Sequence, residues 1–520
     1  SISSHSNQVA LSIEELSYAG FGFSKINYQC DHPVGLYPEH RCQSAFVDLM
    51  FEGKNYQVEL DSAFSFDTQY WTITLSSLNE KINIFADAET SVAQIELQDF
   101  EINDIFKNVN TLAEPLTGLF SGAMMLDVNN LALSSGGVIN FSDLSYEYSD
   151  DVVFFGLGGE IQFEADVIKQ QLTANVIVNS GEMLFDQLYV NYSQFPIELE
   201  ISAALNQDFN YNITAEIINK QSLSLQANII VNQQLDWFLP VSTIRVTDSH
   251  HFNQQILNSI LGIYGFGNTQ MSGSYTISVK TNNNKINHLK MEFDNFYALN
   301  EKRKLQVDSL SGDVHWDFNS SSQDSHLRWQ SLLFAGMPVD KTTINFNLSQ
   351  NEFNLLGQHV FPVFDGSIII KELQADSLFS ESIGMELNAE VLPISLKLIT
   401  EKLNWPSMSG TISGELPGMV KKGSAIEFLG ALRMSVFEGD MLVDNLSLER
   451  LFGVAPVIAA DVTFNEFDLS LLTETFGFGQ ITGKLSGDIK NLRITNWKLS
   501  LIHISEPTRL GMLSRMPSSA

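Results

Sequence analysis

The chain carries little that would staple it, stiffen it or draw it to nucleic acid. Cysteine occurs twice and proline 13 times in 520 residues, so neither a disulfide-rich framework nor a proline-rich linker is written here. Lys and Arg together number 29 against 61 Asp and Glu, for a formal charge of −32 spread along the sequence. Binding a phosphate backbone needs clustered cations, which excludes nucleic acid as an expected partner. No run approaches the roughly 18 consecutive apolar residues of a membrane span; "LFGVAPVIAA" from Leu451 comes nearest and is too short. The sequence opens at Ser1 without a charged and then apolar leader, so an N-terminal signal or anchor is expected upstream of it.

Motifs of catalysis are also missing. There is no Gly-x-Ser-x-Gly, no Walker loop and no His-Glu-x-x-His. The glycine groups "GFGQITG" and "GLGGE" open strands, whereas a dinucleotide fingerprint opens a helix, so they read as turns and bulges. His250 and His251 stand at a helix entry and read as structural. No catalytic residue, metal or cofactor is expected, and the carboxylates lie scattered on polar faces where solvation explains them.

Cys30 and Cys42 bracket the loop "DHPVGLYPEHR". A pair closing so small a loop reads first as a disulfide formed in an oxidising compartment, worth about 3 kcal/mol on the chain-entropy model. Free thiols remain an alternative, as does a Cys2His2 metal site with His32 and His40, although that spacing matches no common zinc framework. The acceptor triplets at Asn191 and Asn212 read as chance in so Asn-rich a chain.

What is abundant is alternation. Hydrophobic residues make up 44% of the chain and include 36 Phe, enough to exclude disorder and favour strands. "ITGKLSGDI" from Ile481 places apolar residues and glycines on every second position with Thr, Lys, Ser and Asp between them, the mark of a half-buried strand. The phrase apolar-x-Gly-x-apolar returns in "FSGAMMLDV", "LGGEIQF", "MSGSYTISV", "LSGDVHWDF", "FDGSIII", "MSGTISGEL" and "FEGDMLV". Several copies follow a short Leu-rich helical segment, as in "NQQILNSILGIYGFG", "PISLKLITEKLNWPS" and "DLSLLTETFGFG". The building unit is thus a strand, one to three turns of helix, and a Gly-bearing strand. Helices are expected near 252–262, 395–403, 446–452 and 469–477.

Three parts follow from this patterning: an N-terminal β module over 1–110 with the Cys30–Cys42 loop, a β-meander over 111–250, and a helix-plus-strand repeat region over 251–498. From Leu499 the text "LSLIHISEPTR" and then "SRMPSSA" resembles translated sequencing adapter, so 499–520 are set apart as artefact.

The composite "FDLSLLTETFGFGQITGKLSGDIKNLRI" from Phe467 resembles the AsmA-like superfamily of bacterial envelope proteins, of the YdbH and TamB type, once labelled dicarboxylate transport. The match rests on Leu471, Leu472, Gly477, Ile481, Gly483, Leu485 and Gly487, is good over 394–498, looser over 251–393, and before that rests on β-rich character only. The resemblance implies a mainly β fold, an elongated, twisted, taco-like groove with short interspersed helices. It also implies a periplasmic location, an inner-membrane anchor at the N-terminus, a possible outer-membrane partner at the C-terminus, and phospholipid as cargo. Strands about 4.8 Å apart with apolar faces turned to one side would form a trough on the order of 140 Å long for roughly 30 strands. Glycines in its lining are expected to leave room for acyl chains. On that reading Met271, Tyr275, Val314, Trp316, Ile368, Ile370, Ile412, Leu416, Met441, Val443, Leu485 and Ile489 line the groove, while Ser413, Lys484 and Asp488 face water. The competing readings are an envelope scaffold or assembly factor that carries no lipid and, less favoured, a β-helix enzyme, disfavoured because solenoid coils recur at about 20 to 30 residues without a helix per unit.

Overall fold

The computed structural model describes the strands between Ile2 and Asp87 chiefly by their backbone. Residues 92–101, 116–127 and 134–495 are described more fully, apart from short breaks at 150, 167, 207–209, 233–235, 264, 283–284, 319–322, 335, 379–383, 423–424 and 450–456. Beyond 495 only the backbone strand Lys498–His503 is described.

The chain is mainly β, in an open antiparallel sheet that does not close, with few short helices. Two compact units divide it: residues 1–244 with 251–267, and residues 245–250 with 268–520. In the first unit, strands Val92–Glu101, Thr117–Asp127, Ser134–Ser149, Val152–Asp166 and Gln171–Phe185 follow one another as an antiparallel meander. The last of these pairs with Leu188–Asn191 near its end and with Ile197–Leu205 along the rest, and Tyr211–Asn219 and Leu223–Val231 continue the ladder. In the second unit the meander runs from Gln270–Asn282 to Lys484–Thr495. The hairpin-forming, proline-poor sequence permits this, because each strand finds its partner in the segment just made.

A repeated irregularity interrupts the ladders. Phe293 and Phe296 oppose Gly312 and Leu310, three steps along one strand against two along the other. The same bulge separates Leu97 from Phe100 opposite Gly122 and Phe120, Phe141 from Leu144 opposite Gly159 and Leu157, and Phe464 from Phe467 opposite Gly487 and Leu485. The third residue of each bulge, Asp99, Asp143, Asn295 or Glu466, has φ between 47° and 57°. Asp and Asn tolerate that left-handed conformation better than other side chains, and Glu466 is the exception. The extra residue restores parity, so both apolar residues of the bulge stay on one face. Phe293 and Phe296 have ring centroids 5.5 Å apart, and Phe464 and Phe467 5.2 Å.

The Ser before the motif glycine secures several of these bulges from the neighbouring strand. The backbone N–H of Asp99 donates to Ser121 Oγ at 3.1 Å, that of Asn295 to Ser311 Oγ at 3.2 Å, and that of Glu466 to Ser486 Oγ at 3.0 Å. An amide left over by the bulge thereby finds its acceptor. The glycine beside it corrects one expectation. A Cβ on Gly487 would stand 2.9 Å from Phe464 Cζ, and one on Gly159 would stand 2.9 Å from Phe141 Cζ. At Gly487 the space is a seat for an aromatic ring from the next strand, and at Gly159 it is taken by the Ile177 backbone carbonyl on one neighbouring strand and the Phe141 ring on the other, so neither is room for a ligand.

Helices form where the sequence places them, with one exception. α1 (Ser249–Phe252), a π-helical turn (Asn253–Leu257) and α2 (Asn258–Ile263) fall on the first expected segment. α3 (Leu396–Lys402) and α4 (Leu469–Phe476) fall on two others. Asp468 caps α4 by accepting from the N–H of Ser470 at 2.8 Å and of Leu471 at 3.3 Å. Gly477 ends it in the left-handed conformation with φ 71°. α3 and α4 share a further device. Thr400 Oγ1 donates to the Leu396 carbonyl at 2.9 Å and accepts from the Met408 N–H at 3.3 Å. Thr473 does the same with Leu469 at 2.7 Å and Ile481 at 3.3 Å. The repeat inferred from glycines thus extends to the threonines.

The helix expected near 446–452 is not formed over the described residues. Leu446–Glu449 close the strand Gly439–Glu449, where Leu448 opposes Ile458. A Leu-x-Leu spacing suits a strand when a partner strand lies alongside, and here it does; residues 450–456 lie outside the described ones.

Candidate functional site: the apolar face of the sheet

Register shows which side chains share a face, since residues directly opposite across a ladder point the same way. In the first unit Leu97, Gly122, Ile139, Ile161, Val176, Leu199, Ile217 and Leu225 oppose one another in turn across eight strands. Every member is half-buried. The adjacent positions form the other face, with Gln162, Asn175, Glu200 and Glu216 in line. A shallow depression of about 470 Å³ on that second face includes Glu164, Glu200 and Glu216 in its lining. Three carboxylates make it an unsuitable seat for acyl chains.

In the second unit Ile368, Val391, Gly414, Leu432, Val443, Val462 and Ile489 form a corresponding rung. Six steps at about 4.8 Å give a stripe about 29 Å long. Earlier strands of the same unit align Tyr275 with Phe293 and Gly312, and Val314 with Met291. Trp316 opposes Leu289, stacks on Phe318 at 5.1 Å and donates its indole N–H to the Gln350 carbonyl at 3.0 Å. Met271 opposes Ala298, Ile370 opposes Ala389, and Ala389 opposes Leu416. Burial pushes the Tyr275 phenol up to about 12, because the phenolate would lose its hydration in this apolar setting.

Of the residues assigned to the lining, Val314 is buried at 5% exposure and the others are half-buried. They do not share one environment. Ile412, Met441 and Leu485 pack against the buried cluster of Leu396, Val436, Phe437 and Phe467, where Ile399 of α3 and Leu472 of α4 join them. Ile368 and Ile412 pack against Val363, Val391 and Ile394, together with Leu432. These side chains occupy the strand ends from which α3 and α4 spring, and there the apolar face is closed by protein. Met271, Tyr275, Trp316, Ile370, Leu416, Val443 and Ile489 belong to none of these clusters. Sequence periodicity identifies the face but not this division, which depends on where the helices fold back. On the polar side, Lys484 is exposed and lies 4.0 Å from Asp468, whereas Ser413 and Asp488 are half-buried.

In the first unit the buried cluster is Val190, Tyr192, Phe195 and Ile256, with Phe252 beside it. His251 stacks on Phe195 at 5.5 Å, and its Nδ1 lies 3.1 Å from Ser222 Oγ. The backbone N–H of His250 donates to Asp248 Oδ1 at 3.0 Å. The most concentrated titratable group lies on the polar face of the second unit, where His288 contacts Asp317 at 2.7 Å and both His315 and His326 contact Asp313 at 2.8 Å. Among the described residues no group of three or more His, Cys, Asp or Glu is placed to hold a metal ion, and no helix is long and apolar enough to cross a membrane. Cys30 stands directly opposite Cys42 where Phe21–Cys30 pairs with His40–Ser44, while His32 lies outside the described residues. Comparison with family models, curated proteins and solved structures finds no match.

Proposed function

We propose that the chain is an AsmA-like envelope protein whose apolar face carries phospholipid through the periplasm of a Gram-negative bacterium. One observation supports this most: apolar rungs run across consecutive strands, and outside the helix-covered strand ends most of their members are half-buried, Val462 at 5% exposure being buried, and they belong to no buried cluster. A single sheet layer gains little from presenting such a face to water, whereas an acyl chain laid along it gains about 0.8 kcal/mol for each methylene covered. Ten methylenes contribute on the order of 8 kcal/mol without any directional contact. Similar rungs at neighbouring positions let a chain slide with little change in energy. No catalytic side chain is required for that task.

The packed clusters at the strand ends favour a second reading, a scaffold whose apolar face serves only its own core. Lipid extraction and mass spectrometry of the protein purified from bacterial envelopes distinguishes the two. Co-purified phospholipid in near-stoichiometric amount is expected, and its removal by Ile489→Asp supports carriage on this face. A lipid-free protein that regains none from phospholipid vesicles leaves the scaffold.

A further inference from the structure

At one corner of the first unit the described strands are apolar on both sides. Val153 opposes Leu184, and Leu184 opposes Tyr189, on the same side as Phe155, which opposes Glu182. The reverse side of these strands carries Phe154, Met183 and Val190 in register, and Met183 and Val190 lie in the packed cluster around Tyr192. This corner of the sheet is therefore apolar on both faces. Its inner face has a protein cover, and its outer face stays open among the described residues: Phe155 is 70% and Tyr189 41% exposed. Scattered apolar side chains on a surface are ordinary, but a contiguous apolar patch with an aromatic centre marks an interaction site.

Charge decides the occupant. Glu147, opposite Val153, and Glu182 are both exposed within the patch. Between Ser134 and Leu205 the only Lys or Arg is Lys169, which is paired with Asp166 at 2.8 Å at the other end of the strands. The rim thus offers carboxylates with no cation among them. An anionic lipid surface would be repelled, and so would a second copy of a chain with formal charge −32. We infer that the outer patch of Val153, Phe155, Leu184 and Tyr189, rimmed by Glu147 and Glu182, docks a protein segment that is apolar on one side and rich in Lys or Arg on the other.

The test uses the full chain and a fluorescein-labelled amphipathic peptide of leucine and lysine, with the leucine and glutamate peptide as its counterpart, read by fluorescence anisotropy. Binding of the lysine peptide is expected to weaken about tenfold in Phe155→Ser/Tyr189→Ser and again in Glu147→Gln/Glu182→Gln. The control Glu164→Gln/Glu216→Gln, on the same face but away from the patch, is expected to bind as the parent does. An unchanged melting curve establishes that the variants fold, and Phe155→Gln alone replaces the double variant should that melt early. Equal weakening by the control pair, or equal binding of the glutamate peptide, overturns the inference. Docking of phosphatidylglycerol vesicles through Phe155, or self-association lost in Phe155→Gln, overturns it too and assigns the patch to a membrane or to a second copy instead.

Discussion

Replacing Ile489 by Asp separates a lipid-bearing face from a packed core. Ile489 is half-buried, lies on the rung with Val443 and Val462, and joins no buried cluster. Losing its contacts costs about 1 kcal/mol, roughly half the value of a fully buried aliphatic side chain, and a carboxylate there remains hydrated while the face is empty. For a domain of some 250 residues this lowers Tm by about 2–4 °C. Leu485→Asp is a different perturbation although it lies four residues away. It removes a side chain packed against Phe467 and Val436 beneath α4, so the cavity and the buried charge together cost at least about 4 kcal/mol. Lipid reverses the ranking of interest. An acyl chain laid over the carboxylate of the Ile489→Asp protein would strip its hydration, and a penalty of about 3 kcal/mol lowers occupancy more than a hundredfold. Circular dichroism gives the melting temperature, and a photo-crosslinker at Val443 reports lipid on the same rung two strands from the substitution. A folded Ile489→Asp protein that has lost its crosslinks is expected. Unchanged lipid capture in that protein refutes carriage on this face, and melting as early as Leu485→Asp shows the rung to be ordinary core.

Four further outcomes are expected. Ser486→Ala strands the Glu466 N–H and lowers stability by about 1 kcal/mol, visible as a shift in urea midpoint. Gly487→Val drives a side chain into the Phe464 ring and costs about 1–3 kcal/mol by the same measurement. The Asn491 N–H at 2.7 Å, and then the Asn445 amide at 2.9 Å, hold the Asp461 carboxyl below its ordinary value. Its stabilisation is therefore present above the unfolded carboxylate value of about 3.9 and lost as pH falls through the lower folded value; Asp461→Asn should lower Tm at neutral pH and converge with the parent in acid. Cys30 and Cys42 are proposed to be joined, since residues directly opposite in an antiparallel pair stand about 4.5–5.5 Å apart at Cα, within disulfide range; thiol titration of the unreduced, denatured protein should find none free.

Period-two patterning makes the strands, their apolar face and three helical segments legible, because each is written in the residues that form it. Asp468 before Leu469 and Gly477 after Phe476 announce α4 in this way. The segment at 446–452 misleads because Leu446 and Leu448 are equally at home in a strand, and only the presence of Val457–Asp468 alongside decides. The glycines mislead for a related reason. Gly487 is small on account of Phe464, a residue of another strand. The bulges do have a local signal: "LQDF", "FSDL", "FDNF" and "FNEF" each set two apolar residues three apart in strands that otherwise repeat at two. Which apolar side chains sit under a helix and which stay open has no such signal, since Ile412 and Leu416 are both aliphatic and at the same parity, yet Ile412 packs in the clusters that include Ile399 of α3 and Leu416 joins none.

The meander has a consequence for how such a chain comes to be folded. Where each strand is bonded to the one just before it, the loops to be closed are short and their entropic cost is low. Order then spreads by addition, each new hairpin arm settling on a template already formed, much as in repeat proteins whose units contact only their neighbours. A chain made N-terminus first can zip up strand by strand with no wait for distant partners. At every moment of that growth the newest strand is an unpaired edge, and the next segment of the same chain is the first to reach it.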